Sequence, residues 1–239
     1  TNLVAGDSNG ARDIFVKDLQ NLGYTPEGVV NWIALMGWGV PENDVLTLKD
    51  MINRFDIENL TASPAAINFS KLDHFNGTHI RRLSIDDLAA RIKPYFVNAG
   101  LIVNDNLLIK ITPLVRERLV TLDDCLAFGG WFFKPVVFPK PEDLIGKNLS
   151  PARSAQIALQ CYNILAGLTD ISADITEPPL RSYIEKEDLN PSQVFGILRV
   201  AITGQTVSPP LFESMEILGR NIILERIKTA YEILAQLNI

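Results

Sequence analysis

The chain has 239 residues, 47% of them apolar and 21% charged, and a formal net charge of −6. Such a chain can bury one large core or two modest ones, which excludes a disordered tail or linker. No apolar run approaches the roughly 18–20 residues of a bilayer-spanning helix, so no membrane partner is expected.

In chain order, residues 1–10 lack a basic region followed by an apolar stretch, so they predict no secretory signal and read as a disordered lead-in. Thr25-Pro26 pairs a capping side chain with a proline at the first helical position and predicts a helix start. The pairing recurs at Ser150-Pro151, Asn190-Pro191 and Ser208-Pro209. Thr47-x-x-Asp50, Ser84-x-x-Asp87 and Thr121-x-x-Asp124 resemble capping boxes with Asp in place of Glu. Apolar residues follow at helical spacing: Leu88, Ile92, Tyr95 and Phe96, then Ile157, Cys161, Ile164 and Leu165, then Ile217, Ile222, Leu224, Ile227 and Tyr231. Gly37, Gly100, Gly167 and Gly219 stand at predicted helix ends. The one short strand-like run, Val136-Val137-Phe138, is flanked by Pro135 and Pro139. The pattern predicts an all-α protein of roughly ten helices.

Asn-Ala-Gly and Asn-Asp-Asn interrupt the pattern between Asn98 and Asp105. The predicted division is therefore residues 11–100 and 101–239, with a possible further break near 134–150. Trp131-Phe132-Phe133 reads as core, because adjacent aromatics cannot all face one ligand. Cys125 and Cys161 lack metal spacing and read as free, partly buried thiols of a reducing compartment. His74 and His79 are five residues apart, about 500° of helical rotation, so they point to different faces and no metal is expected.

The acidic balance does not advertise a nucleic-acid binder, but the distribution is uneven. From Arg81 to Arg118 seven bases stand against four acids. Phosphate contacts need a local basic stripe rather than a basic protein. The stretch from Ile197 to Arg220 reads as helix, corner, helix. Gly204 is its predicted stop, and Arg199 lies less than two turns before the linker Gln205-Thr206-Val207. A rigid corner beside a guanidinium could offer backbone groups and a proline face to an unstacked RNA base. A helical hairpin with purely structural caps is the plainer alternative.

Leu198-Arg199-Val200-Ala201-Ile202-Thr203-Gly204, Ser208-Pro209-Pro210-Leu211-Phe212-Glu213 and Leu218-Gly219 closely resemble the anticodon-binding region of bacterial-type glutamyl-tRNA synthetases. Three further stretches agree in order. Gly23-Tyr24-Thr25-Pro26-Glu27 through Asn31 to Trp38 resembles the family's segment after its second ATP-site motif. Phe69-Ser70-Lys71-Leu72 with Asn76 to Arg81 resembles its stem-contact helix. Leu114-Val115-Arg116-Glu117-Arg118 resembles the start of its anticodon half. The likeness runs from about Ala11 to Leu237.

The resemblance implies a multi-helix stem-contact domain followed by an α-helical anticodon-binding domain, the C-terminal cage of a class I synthetase. It implies glutamate tRNA as partner, a monomer, and a bacterial cytoplasmic location, with an organellar matrix or stroma as the alternative. Arg118 would read the third anticodon base, with Arg116 as the neighbour that an alignment slip would put in its place. Arg199, Ser208, Pro209 and Leu211 would hold splayed anticodon bases, and Arg181 would add a contact. Val207 stands where some members carry an acid. Lys71, Asn76 and Arg81 would touch the tRNA stem. Trp32 and Trp38 would be packing residues.

The family's His-x-Gly-His-type element and Lys-x-Ser-Lys loop are missing, and no Gly-x-x-x-x-Gly-Lys loop appears. The chain therefore reads as a piece cut just after a catalytic domain. It would carry no cofactor and no catalytic residue itself, with ATP and magnesium belonging to the absent domain. A helical protein-interaction domain of synthetase ancestry is the competing expectation.

Overall fold

The computed structural model describes residues 15–38, 45–60 and 68–237; the predicted lead-in at 1–10 lies outside them. The described residues form helices and 3₁₀ turns, joined by loops and one isolated bridge between Trp38 and Leu60. No strand forms at Val136–Phe138.

Contacts divide the chain into two units. The first is residues 1–100 with 115–127, and the second is 101–114 with 128–239. The first unit therefore takes in the segment 115–127 as well as the residues up to 100. The anchors of that segment are long-range and local periodicity does not announce them. Leu122 N–H donates to Gly23 O at 2.8 Å, and Leu119 and Cys125 are fully buried.

The first unit carries α1 (Val16–Asn21), α2 (Pro26–Ala34), α3 (Leu48–Arg54), α4 (Phe69–Arg82) and α5 (Ile85–Asn98). Its core gathers Leu19, Tyr24, Val29, Trp32, Leu72 and Phe75, and a smaller cluster holds Trp38, Leu46 and Met51. Thr25 caps α2 by accepting from Gly28 N–H at 3.2 Å. Thr47 and Asp50 form the predicted capping box of α3. Ser84 caps α5 through Asp87 N–H, but the Asp87 carboxylate turns to Arg91 instead of closing the box.

The helix α6 (Asp105–Arg116) starts in the second unit, and its last two residues belong to the first. After a 3₁₀ turn at Leu122–Asp124 comes the short α7 (Cys125–Gly129). The second unit continues with a 3₁₀ turn at Gly130–Phe133, then α8 (Pro151–Ala166), α9 (Ala173–Lys186), α10 (Pro191–Thr203), α11 (Leu211–Leu218) and α12 (Arg220–Gln236). The long helices α8 and α12 pack together most extensively. They bury Ile157, Cys161 and Leu165 on one side, and Ile223, Ile227, Ala230 and Leu234 on the other. Trp131 and Phe132 are buried with ring centroids 3.8 Å apart, as core residues.

Helix α9 continues through Pro178-Pro179, which lie inside it. One local expectation fails for an identifiable reason. Ser208-Pro209 does not start α11. That helix opens at Leu211 with Pro210 at its cap position, because the Ser208 hydroxyl is engaged by Arg199.

Candidate RNA interface

The corner between α10 and α11 is braced from inside. Gly204 ends α10 in the left-handed region at φ 75°, where a side chain would be strained, and its N–H caps Val200 O at 2.8 Å. The Thr203 hydroxyl donates to Arg199 O at 2.8 Å and accepts from Gln205 N–H at 3.1 Å. One Arg199 nitrogen donates to Ser208 Oγ at 2.5 Å and to Pro209 O at 3.1 Å. The guanidinium thus staples the far side of the loop back to its own helix.

This bracing corrects the expected contacts. Ser208 is 2% exposed, Leu211 is 5% exposed and Pro209 is buried, so their side chains frame the corner rather than face a ligand. The outward residues are Thr206, Pro210 and Val207, the last 58% exposed. Any base held here meets an apolar and backbone surface.

Arg181, on α9, pairs with Glu177 one turn earlier and lies 5.5 Å from the centre of the Phe195 ring. Phe195 in turn meets Phe212 edge-on at 5.3 Å. Arg181, α10 and α11 therefore share one aromatic ledge beside the corner. The guanidinium is half exposed and keeps a face toward solvent.

In the first unit the two candidate arginines differ. Arg116 ends α6 with its Nε donating to Glu117 Oε1 at 3.2 Å. Arg118 is exposed on the turn that follows, where its N–H donates to Val115 O at 2.9 Å. Among the described residues its guanidinium has no hydrogen bond or ion pair. A planar fork of donors held on a turn and left unengaged suits base-edge recognition.

On α4, Lys71, His74, Thr78 and Arg81 fall at successive spacings of three and four residues and share one face. Lys71 and Arg81 are exposed, and Arg81 donates to Thr78 Oγ1 at 3.2 Å. This stripe can meet phosphates. Asn76 cannot, because its side chain is fully buried. Its Oδ1 accepts from Thr25 N–H at 2.8 Å and from Thr25 Oγ1 at 2.7 Å, and its Nδ2 donates to Val120 O at 2.6 Å. The opposite helix must come very close: a Cβ on Gly28 would lie 2.5 Å from Asn76 Oδ1. Asn76 is a structural hub, and the expected stem contact gives way to that role.

Other polar groups are similarly engaged. Arg91 grips Glu27 with two bonds of 2.9 and 3.0 Å and also pairs with Asp87. This holds the Glu27 carboxyl below its usual range. His79 is buried, with Nε2 3.0 Å from Asn31 Oδ1, and burial lowers its pKa. His74 is exposed, with its ring 5.8 Å from that of Phe75. Among the described residues no group of three or more His, Cys, Asp or Glu could hold a metal ion, and no helix is long and apolar enough to cross a membrane.

One residue escaped the sequence reading. Arg226 on α12 is 4% exposed and, among the described residues, has no acidic hydrogen-bond partner. It donates to Ile202 O at 2.6 Å, Trp131 O at 3.0 Å and Lys134 O at 2.6 Å. Burial pushes its pKa down to about 10. Ile202 is in the last turn of α10, where unpaired carbonyls attract a cation. The signal was present in sequence: Arg226 sits on the apolar stripe of Ile223, Ile227, Ala230 and Leu234, where a charge is out of place.

A family profile for the anticodon binding domain matches residues 87–231. The chain belongs to the anticodon-binding-domain family. It is 34% identical over 225 residues to a glutamate–tRNA ligase of Roseiflexus sp. strain RS-1, which covers 91% of this chain and 44% of the relative. It is 36% identical over 212 residues to the same-named enzyme of Mycolicibacterium smegmatis, covering 87% and 43%. The chain thus spans less than half the length of these relatives. Its fold is similar to the crystal structure of a glutamate tRNA ligase from Elizabethkingia meningosepticum, with TM-score 0.76 and 23% identity, over 95% of this chain and 44% of that one. Membership in this family favours RNA recognition over the protein-interaction alternative.

Proposed function

We propose that this chain is the tRNA-binding, C-terminal portion of a glutamate–tRNA ligase. It grips glutamate tRNA by the inner limb and the anticodon, so that the remainder of the enzyme can attach glutamate to the 3′ end using ATP and magnesium. The observation that carries this reading is the anticodon-binding match over residues 87–231, which contains the braced corner.

Each group then has a role. Lys71 and Arg81 on α4 contact stem phosphates, which position RNA but carry little sequence information. Arg118 reads the third anticodon base with its free fork. Arg199 reads nothing directly. It fixes Ser208 and Pro209, so that Thr206, Val207 and Pro210 face splayed bases in one preset arrangement, which lowers the ordering cost of binding. Arg181 and the Phe195–Phe212 ledge extend that surface. The protein acts as a monomer in the bacterial cytoplasm, a placement supported by bacterial relatives.

The test is binding to glutamate tRNA, native or changed at the third anticodon base, at two salt concentrations. Arg118→Gln should cut discrimination at that base about 5- to 100-fold, since a bidentate fork is worth roughly 1–3 kcal/mol. General affinity should change much less. Equal losses for both tRNAs would make Arg118 a phosphate contact, and salt-insensitive or absent binding by the full-length protein would sink the reading.

A further inference from the structure

The loop after Trp131-Phe132 is not used by the function above, yet it is unusually well anchored. Arg226 holds the carbonyls of Trp131 and Lys134. Val137 is buried, and its Cβ lies 3.7 Å from the place a Cβ on Gly204 would occupy, so the loop abuts the anticodon corner. Pro139 and Leu144 are buried as well, and Gln193 on α10 donates to Lys147 O at 2.9 Å. Between these fixed points Phe138 stands 86% exposed. Lys134 and Lys140 flank it in solvent, and across 134–147 three lysines outweigh Glu142 and Asp143.

A single exposed apolar residue needs no explanation on a loose surface. A phenylalanine displayed on a pinned loop, with cations either side and an RNA-facing corner next to it, is differently placed. Rings stack on nucleobases whatever their sequence, and neighbouring lysines follow the backbone. The same guanidinium that holds this loop also holds the end of α10 at Ile202. Loop and corner therefore keep a fixed spacing.

We propose that the segment Lys134–Lys140 is a second single-stranded RNA contact beside the corner. Phe138 stacks on an unpaired base of the bound anticodon loop, and Lys134 and Lys140 meet its phosphates. This inference rests on the tRNA-binding reading, and it adds a site whose recognition is by stacking rather than by base edges. It implies affinity with little sequence preference.

The experiment measures binding of full-length protein to glutamate tRNA, by filter retention or fluorescence anisotropy, for F138A, F138W and the K134A/K140A pair. F138A should weaken binding about 5- to 100-fold, the usual worth of one stacked base, while F138W stays near wild type. The loss should be the same whichever anticodon base is changed. K134A/K140A should flatten the log affinity against log salt plot by about 0.7 per lysine. Phe138 is solvent-exposed, so circular dichroism and melting temperature should not move. Unchanged affinity in F138A with wild-type tRNA binding intact overturns this inference alone. Loss of binding in the wild-type protein would overturn the tRNA reading with it. A self-association of the wild-type chain that F138A abolishes, without any RNA effect, would assign the ring to protein contact instead.

Discussion

Each unit holds a buried polar side chain that ties three groups together, and the two differ in charge. Asn76 in the first unit is neutral. It both accepts and donates, and its partners at Thr25 and Val120 can approach because Gly28 leaves room. Arg226 in the second unit is cationic, only donates, and among the described residues leaves its Nε without a partner. A neutral amide can accept from a helix-start N–H and donate to a loop carbonyl at once, as Asn76 does with Thr25 and Val120. A cation can only donate, so Arg226 takes carbonyls alone, at the end of α10 and in the loop after Trp131. Asn76 ties the start of α2 and the Val120 bend to α4, while Arg226 ties a helix end and a loop to α12.

Removing the cation should have the larger effect. Arg226→Met removes the guanidinium donor from three carbonyls, which should cost about 3–5 kcal/mol in urea unfolding. Arg226→Lys should recover only part of it, because an ammonium on a flexible stem lacks the planar fork that reaches three points. Full recovery by lysine would show that charge alone matters and would erase the contrast. Asn76→Ala should cost roughly 2–4 kcal/mol by stranding Thr25 and Val120. Any residual RNA affinity of the folded variant should match wild type, whereas an affinity loss larger than its unfolded fraction explains would return Asn76 to the interface.

The smallest effect concerns the rim pair of the first unit. Arg91 holds the Glu27 carboxyl below its ordinary value of 4.5, so the folded state keeps it ionised more readily than the unfolded chain does. That stabilisation is fully present above about pH 5 and disappears as pH falls through the lowered value. Glu27→Gln should be slightly less stable at pH 7, with a flatter loss of stability as pH falls below about 5. Parallel curves for the two proteins would show that the pair contributes nothing. Both side chains are part-exposed, so the difference is small.

The all-α fold was legible because its helix starts are written locally: Thr25, Ser150 and Asn190 each cap a proline-led helix as their spacing suggests. What was not legible depends on distance along the chain. Asn76 beside Gly77 reads equally as a stem contact, a turn or a structural Asn, and only Thr25 and Val120, 51 and 44 residues away, decide for the structural hub. Ser208-Pro209 reads as a cap until Arg199 is seen to take the hydroxyl. The return of residues 115–127 to the first unit is also a long-range pairing, through Gly23 and Leu122. The candidate arginines came from the family resemblance, which says nothing of their state. Arg118 and Arg199 look alike in sequence, and only packing separates the unengaged guanidinium from the tied one.

The two cysteines have a practical consequence. Cys125 and Cys161 are fully buried, and burial raises both thiols, Cys161 to about 12, so neither supplies thiolate at neutral pH. Alkylating dyes and spin labels should pass them by in the folded protein. A cysteine introduced at an exposed position would then be the sole reactive thiol of this chain, with no native cysteine to remove first. Distances and motions could be followed in otherwise unaltered protein as RNA arrives.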